Sequence, residues 1–335
     1  MKEINLREDI YYTREYAAAY LGANDEVFEF EYNEKDKYFK NIAIKSSITK
    51  IAGLEIKGGY FDLQTPYGYG GYLTNSDDTV FVKTALGRYK EFCIKNKIIA
   101  EFLRFHPFNA FAEKHDSFLD FCAQDRKTVY VDLEKEYSEI WNSYSQSLRT
   151  NIKKANSFGL KYELLPSICR SNFIEQYYKT MQNKNARQFY FFDKIYFEKL
   201  GKIKKVKLYC ATHKDKPLNY IVILESRPFV YYHLGATNPD YNCFNPNTFI
   251  MNELIKLYKE KNFKIFFMGG GTSGDESDTL YKFKKKFSTL RKQYYIAGKI
   301  FMPDVYQQYL TLWEKQTKGH EGAPYFLRYR LGDQN

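Results

Sequence analysis

The chain has 335 residues, of which 44% are hydrophobic and 19% aromatic, and its formal net charge is +11. This length fits two domains of about 150 residues each, and the apolar content excludes a disordered chain. No apolar run approaches about 18 residues and the N-terminus has no apolar core, so we expect neither a membrane-spanning helix nor a signal peptide.

The first third of the chain predicts a small unit of helices and strands. Residues 8–22 and 77–96 place their apolar side chains on one face at helical spacing. Short apolar runs predict strands at 26–32, 39–46 and 98–105. The order is therefore helix, strands, helix, strand, with a stretch rich in glycine and tyrosine before the second helix.

The remainder of the chain repeats that order at greater length. We predict strands at 128–133, 205–212, 217–226, 228–234, 264–268 and 293–301. We predict helices at 134–158, 171–183, 193–201, 247–262 and 303–316, and one that begins near 278. The pattern indicates an α/β (α+β) fold of two related lobes, residues 1–127 and 128–335. Each lobe would carry a mixed, largely antiparallel sheet with flanking helices, and a cleft would lie between the lobes.

Three glycines, Gly269, Gly271 and Gly274, follow a buried strand with the spacing G-x-G-x-x-G. A dinucleotide-binding unit would continue as alternating strands and helices with an acidic residue about 20 positions later, and the rest of the chain does not. No Lys-Ser or Lys-Thr follows, so a phosphate-binding loop is excluded as well. Gly270 and its glycine neighbours still indicate close backbone approach, either to a neighbouring strand or to a substrate.

Metal and nucleophile motifs are missing from the sequence. The five cysteines are scattered without a C-x-x-C pair, and the five histidines show no ligand spacing, which excludes a disulfide framework and a zinc site. No nucleophile elbow and no Cys/His arrangement is present. His233 follows a strand and is either a structural histidine or a cleft residue. Arg149 either complements the end of its helix or contacts an anionic substrate.

Five groups of residues, in order along the chain, resemble the Fem aminoacyltransferases. They are residues 65–71, residues 147–155 with Gly159, residues 186–187 ahead of 196–200, residues 232–236, and residues 269–271 followed by 278–284. The resemblance implies two lobes of the GNAT acetyltransferase type and transfer of an amino acid from aminoacyl-tRNA to a peptidoglycan precursor. Residues 30–60 match poorly, and the long helical-hairpin arm of some members has no counterpart, so an amino sugar of a surface polysaccharide is the other acceptor considered.

The resemblance assigns roles to Lys284 and Arg187, and we add further candidates from their positions in the chain. Lys284, in the Phe-Lys pair of the family motif, would stabilise the oxyanion or protonate the leaving oxygen, and Asp275 or Asp278 would receive the amine proton. Arg187 would bind a phosphate of the acceptor, because a guanidinium makes bidentate contacts with phosphate. The other substrate-binding candidates are Tyr67, Tyr69, Gly70, Arg149, His233, Gly270 and Gly271.

We therefore predict an acyltransferase that forms an amide by direct attack of an amine on an activated acyl group. Residues 235–247 lack the Q/R-x-x-G-x-G/A signature that holds acyl-CoA, which together with the basic charge favours aminoacyl-tRNA as donor and tRNA as partner. The alternatives are an acyl-CoA-dependent N-acyltransferase acting on a nucleotide-linked amino sugar, and a non-catalytic nucleic-acid-binding protein.

No tightly bound cofactor is predicted, and the acceptor would be a nucleotide-linked or lipid-linked sugar. The cysteine pattern predicts the reducing cytoplasm, and a lipid-linked acceptor would bring the protein to the inner face of the membrane. The surplus of 51 basic over 40 acidic residues fits anionic partners such as nucleic acid, nucleotide sugars or phospholipid headgroups.

Overall fold

A computed structural model describes residues 4–169, 172–317 and 325–332 of the chain. The chain divides into two compact units: unit 1 holds the residues up to Asp125 and those from Tyr294 onward, and unit 2 is Arg126–Gln293. We predicted that residues 128–335 form one lobe, so the assignment of the last segment is corrected. No helix among the described residues is both long and apolar enough to span a bilayer.

The helices are α1 (Arg14–Ala19), α2 (Thr79–Lys95), α3 (Phe111–Lys114), α4 (Tyr137–Ser143), α5 (Gln146–Ser157), α6 (Phe173–Asn183), α7 (Lys194–Leu200), α8 (Pro246–Glu260), α9 (Thr279–Lys284) and α10 (Pro303–Thr317). The strands are β1 (Asp25–Glu34), β2 (Lys37–Ser47), β3 (Lys50–Ile51), β4 (Leu54–Glu55), β5 (Phe61–Gln64), β6 (Leu73–Thr74), β7 (Ile98–Arg104), β8 (Phe121–Asp132), β9 (Lys161–Leu165), β10 (Val206–His213), β11 (Lys216–Ser226), β12 (Phe229–Thr237), β13 (Ile265–Gly269) and β14 (Arg291–Ile300).

Unit 1 is built on the strand order β1-β2-β5-β7-β14, in which only β5 and β7 run parallel. Helix α2 covers this sheet: Asp78 caps its first turn, and Phe81, Ala85 and Tyr89 are buried from one face. Aromatic rings, among them Phe39 and Tyr72, form a large part of this core.

The C-terminal segment joins unit 1 for two physical reasons. Helix α10 buries an apolar stripe that includes Trp313, and this stripe packs in one cluster with Phe102 of β7. Further on, Arg330 donates two hydrogen bonds to the buried carboxylate of Asp62, at 2.8 and 2.9 Å. A buried carboxylate without a partner is costly, so this ion pair holds the segment in unit 1.

Unit 2 is built on the strand order β8-β13-β12-β11-β10-β9, in which only β12 and β13 run parallel. Helices α5 and α8 share its main core, where Leu148, Ile152 and Leu254 are buried. Both units thus confirm the predicted class of mixed, largely antiparallel sheets with flanking helices.

The long helix predicted at 134–158 is two helices. Tyr144 ends α4 in an extended conformation, and the hydroxyl of Ser145 accepts a hydrogen bond from the backbone N–H of Leu148, which starts α5. Gly159 follows α5 with φ +69°, the left-handed conformation expected after a helix end. We predicted no strand at the position of β9, because its residues show no clear alternation of apolar and polar side chains.

Candidate active site

Two parallel strands of unit 2 separate at their carboxyl ends. β12 and β13 pair only from Phe229 to Tyr231 on one strand and from Ile265 to Phe267 on the other. β12 then continues to Thr237, still paired with β11, while β13 ends at Gly269. Because the two strands stop bonding to each other, the space beyond them is open to other side chains. Ligands commonly bind beyond the carboxyl ends of parallel strands.

β12 carries a bulge directly after the last of these pairs. Ile223 of β11 faces Tyr232 and Val222 faces Leu234, so His233 is the extra residue. A bulge bends the strand and redirects its side chains, which is a frequent device beside functional sites. The bulge sets the positions of both Tyr232 and His233.

The glycine triplet at the end of β13 forms a turn that packs closely against neighbouring side chains. Gly269 has φ +75°, which disfavours a side chain, and a Cβ on Gly270 would lie 3.0 Å from Cδ of Arg126. A Cβ on Gly271 would lie 2.5 Å from Oδ1 of Asp278. The close approach predicted from the glycines is therefore made to side chains of the same unit.

Lys284 reaches this glycine turn from the end of α9. It is 6% exposed, its Nζ donates a hydrogen bond of 2.7 Å to the carbonyl of Gly270, and the same atom lies 5.3 Å from the centre of the Tyr232 ring. Burial lowers its pKa to about 7, with Asp278 opposing the change and Arg126 adding to it. Near neutral pH both protonation states are populated, which suits a group that accepts and donates protons.

Tyr232 is the aromatic side chain next to this ammonium. Burial raises the pKa of its hydroxyl to about 12, so the hydroxyl stays protonated at neutral pH. A Cβ on Gly235 would clash with this hydroxyl, so the glycine leaves room for it. Sequence reasoning did not single out Tyr232 as a site residue, although it stands in the segment that carries the family resemblance.

The two candidate aspartates are engaged in their own turn. Asp278 caps α9: its carboxylate accepts hydrogen bonds from the backbone N–H of Tyr281 at 2.8 Å and from the N–H and hydroxyl of Thr272. Burial raises the pKa of Asp278, but these hydrogen bonds outweigh it, and the net pKa is lowered. Asp275 is exposed and accepts from the N–H of Ser277 at 2.7 Å, which lowers its pKa. Both carboxylates thus accept hydrogen bonds from their own turn as anions. This arrangement does not favour the predicted role of either aspartate as the acceptor of the amine proton.

Two further predicted residues have structural partners. The Nε2 atom of His233 lies 2.9 Å from the hydroxyl of Tyr196, and burial lowers the pKa of its imidazole to about 3, which keeps it neutral. Arg149 donates to the carbonyls of Asn142 and Tyr144, at 3.2 and 2.8 Å. It therefore complements the end of α4, whereas the sequence suggested the end of its own helix.

Arg187 is exposed, just before a short 3₁₀ helix at Gln188–Tyr190. Among the described residues its guanidinium has no hydrogen-bond partner, so it is available to an anion. Lys184, which precedes it, contributes to the positive potential that lowers the pKa of Lys284. Lys184 caps the C-terminal end of α6 and was not predicted as a site residue.

Tyr67, Tyr69 and Gly70 lie together in unit 1. The Tyr69 ring contacts the rings of Tyr11, His106 and Tyr294, with centroids 5.4 to 5.8 Å apart. The carbonyl of Gly70 accepts hydrogen bonds from the hydroxyl of Tyr12 at 2.5 Å and from the N–H of His106 at 3.0 Å, and the carbonyl of Tyr67 accepts from Tyr16 at 2.7 Å. An aromatic cluster fixes this turn. A second group of predicted site residues lies in unit 2 and consists of Lys284, Asp278, Gly270 and Gly271.

In the described part of the chain no three His, Cys, Asp or Glu side chains form a group suited to a metal ion. The segment after β12 forms a 3₁₀ helix at Pro239–Phe244 and then enters α8 through Pro246. Residues 235–255 contain no Lys or Arg, and Asp240 adds a negative charge. This segment itself therefore supplies no cation for a pyrophosphate.

Comparisons with known proteins concern the fold of the chain. Residues 142–285, which include Lys284, match the family model described as an acetyltransferase (GNAT) domain. The structure of FemX is similar with a TM-score of 0.71 at 12% identity, over 92% of this chain and 95% of that chain. No curated protein sequence matches the chain.

Two other solved structures share the fold. The C-terminal domain of an Agrobacterium fabrum protein described as a lysylphosphatidylglycerol synthetase has a TM-score of 0.54 at 13% identity, over 88% of each chain. A conserved Bacteroides thetaiotaomicron protein of unknown function has a TM-score of 0.50 at 13% identity, over 78% of this chain and 86% of that one. Residues 142–285 thus match a GNAT acetyltransferase domain, and the chain shares the fold of the FemX structure.

Proposed function

We propose that the protein transfers an aminoacyl group from aminoacyl-tRNA to an amine of a cell-envelope precursor, a peptidoglycan peptide or an amino sugar. The observation that carries this proposal is Lys284: a buried lysine with a pKa of about 7, held against a glycine turn where two parallel strands separate. Such a group handles protons at neutral pH without any covalent intermediate on the enzyme.

The proposed step is a direct aminolysis. The amine nitrogen attacks the acyl carbon, the new C–N bond forms, and the bond from carbon to the ribose oxygen breaks. Neutral Lys284 accepts the proton that the amine loses and returns it to the leaving oxygen, so no net proton is taken up. The protonated hydroxyl of Tyr232 donates a hydrogen bond to the oxyanion, and the positive charge of Arg126 stabilises it further.

Two features support tRNA as the donor. Residues 235–255 lack any cation for a CoA pyrophosphate, and a 3₁₀ helix occupies the place of an open glycine loop. The net charge of +11 suits a polyanion. The second candidate is an acyl-CoA-dependent N-acyltransferase, and the match of residues 142–285 to a GNAT acetyltransferase domain favours it.

The acceptor is proposed to carry phosphate. Arg187 is exposed and available for bidentate contact with a phosphate group. The likeness in fold to a protein described as a lysylphosphatidylglycerol synthetase fits aminoacyl transfer to a phosphate-bearing molecule. Tyr67 and Tyr69 of unit 1 are proposed to contact the rest of the acceptor. A lipid-linked acceptor would place the reaction at a membrane surface.

The test is to incubate the protein separately with charged tRNA and with acetyl-CoA, each with nucleotide-linked amino sugars or peptidoglycan precursors, and to detect amides by mass spectrometry. We expect product with charged tRNA, loss of product in Lys284→Ala, and normal product in Lys282→Ala, an exposed lysine of the same helix. Product only with acetyl-CoA supports the second candidate. Binding of tRNA without any product would leave a nucleic-acid-binding protein, and normal turnover of Lys284→Ala would exclude the proposed mechanism.

A further inference from the structure

A cavity of about 400 Å³, broadly open to solvent, lies between helices α4, α5 and α8 of unit 2. Its volume falls within the range of about 300–1,000 Å³ that is usual for small-molecule sites. None of the residues that line it belongs to the Lys284 site, so the mechanism leaves this cavity without a role.

Two aromatic rings form one wall of the cavity. Tyr137 and Trp141 stand one helical turn apart on α4, with ring centroids 6.4 Å apart, and both are half-buried. Ile152 of α5 adds an apolar contact. A ligand that fits here must therefore present an apolar face.

Amide and indole groups surround these rings. Asn142 and Asn156 line the cavity, and within the described residues neither side-chain amide has a hydrogen-bond partner, nor has the indole N–H of Trp141. Each amide offers donors and an acceptor, so both are matched to hydroxyl groups, which also donate and accept. The ligand therefore carries several neutral polar groups around its apolar face.

The cavity has no unbalanced charge. Its one charged lining residue is Lys256, whose Nζ lies 2.8 Å from the carboxylate of Glu253. An anionic ligand would compete with that carboxylate, and a cationic ligand would meet the ammonium. We propose that the cavity binds the pyranose ring of a neutral saccharide, with the ring's C–H face on Trp141 and its hydroxyls on the two amides.

Tryptophan fluorescence can detect binding at the cavity, because the chain has only two tryptophans. Trp141 lines the cavity, and Trp313 is 1% exposed. The full-length protein is titrated with N-acetylglucosamine and with glucose while tryptophan emission is recorded. We expect a saturable change and at least twofold protection of Trp141 from acrylamide quenching. Trp141→Phe identifies the emission that belongs to Trp313.

Paired variants test the contacts. The double variant Asn142→Ala with Asn156→Ala is expected to raise the titration midpoint, the sugar concentration at half-saturation, at least tenfold. Its melting temperature should be unchanged, because both side chains are exposed. Lys153→Ala, an exposed change on α5, is expected to leave the midpoint unchanged. Lys284→Ala is also expected to leave it unchanged, so failure of this proposal and failure of the transferase proposal are separate results.

Three outcomes at the cavity itself would overturn the inference. They are the absence of a saturable change with either sugar, an unchanged midpoint in the double variant, and saturable binding of adenosine in preference to both sugars. Loss of sugar binding in Lys284→Ala would place the sugar at the catalytic lysine and would also overturn it.

Discussion

Replacing Lys284 by Met tests whether this lysine is truly desolvated. Burial lowers its pKa from 10.5 to about 7, so between these values the unfolded chain holds a proton that the folded chain has released. The folded state is therefore destabilised most below pH 7, and the free energy of unfolding rises as pH increases towards 10.5. With about 1.4 kcal/mol for each unit of pKa shift, Lys284 accounts for a rise of about 2.5 kcal/mol between pH 6 and pH 9.

The assay is urea unfolding of the wild type and of Lys284→Met at pH 6, 7, 8 and 9. Methionine keeps a long apolar side chain but cannot titrate, so its curve should lack the rise that is due to Lys284. Lys282→Met, an exposed change on the same helix, should follow the wild type. All other titrating groups are common to the two proteins and cancel in the difference. If wild type and Lys284→Met differ by the same amount at every pH, the lysine is solvated and the proton-transfer argument fails.

Three more predictions concern the glycine turn, the Tyr232 hydroxyl and Glu101, a buried carboxyl of β7 in unit 1. Gly271→Ala should destabilise the protein by about 1–3 kcal/mol in urea unfolding, since its Cβ would lie 2.5 Å from Asp278; a neutral result would mean that the cap moves freely. Tyr232→Phe should lower kcat about tenfold or more with little change in KM, and rates equal to the wild type would remove its hydroxyl from the mechanism. Burial raises the pKa of Glu101 from 4.5 to about 7, so from pH 4.5 to 7 the wild type should lose about 3 kcal/mol of stability relative to Glu101→Gln. A flat difference across that range would show that the pKa of Glu101 is the same in the folded and the unfolded chain.

The positions of most elements follow from local patterns. Helix α2 begins at Asp78 and buries one apolar face, and β13 is a continuous apolar run that ends in glycines, so both were predicted close to their observed bounds. These features depend on residues within a turn or two of one another. For the same reason the sequence could point to Lys284, because the Phe283-Lys284 pair stands in a short motif next to the glycines.

Other features depend on partners far away in the chain. The break between α4 and α5, the assignment of the last segment to unit 1 and the partners of Arg149 needed the folded chain. The hydrogen bonds that Asp275 and Asp278 accept from their own turn also needed the folded chain, and they do not favour the proton-accepting role predicted for these residues. Tyr232 could not be selected from the sequence, because its position depends on a bulge that is seen only in the pairing of β12 with β11.

The sequence by itself predicted the class of fold from the order of its helices and strands, and its resemblance to the Fem family pointed to Lys284 as a candidate residue. Only the tertiary structure decided what that lysine can do. Its pKa depends on the burial of its ammonium among β12, β13 and α9 and on the charges of Arg126, Lys184 and Asp278 around it. Desolvation is a property of all neighbours together, and those neighbours are separated by up to half of the chain.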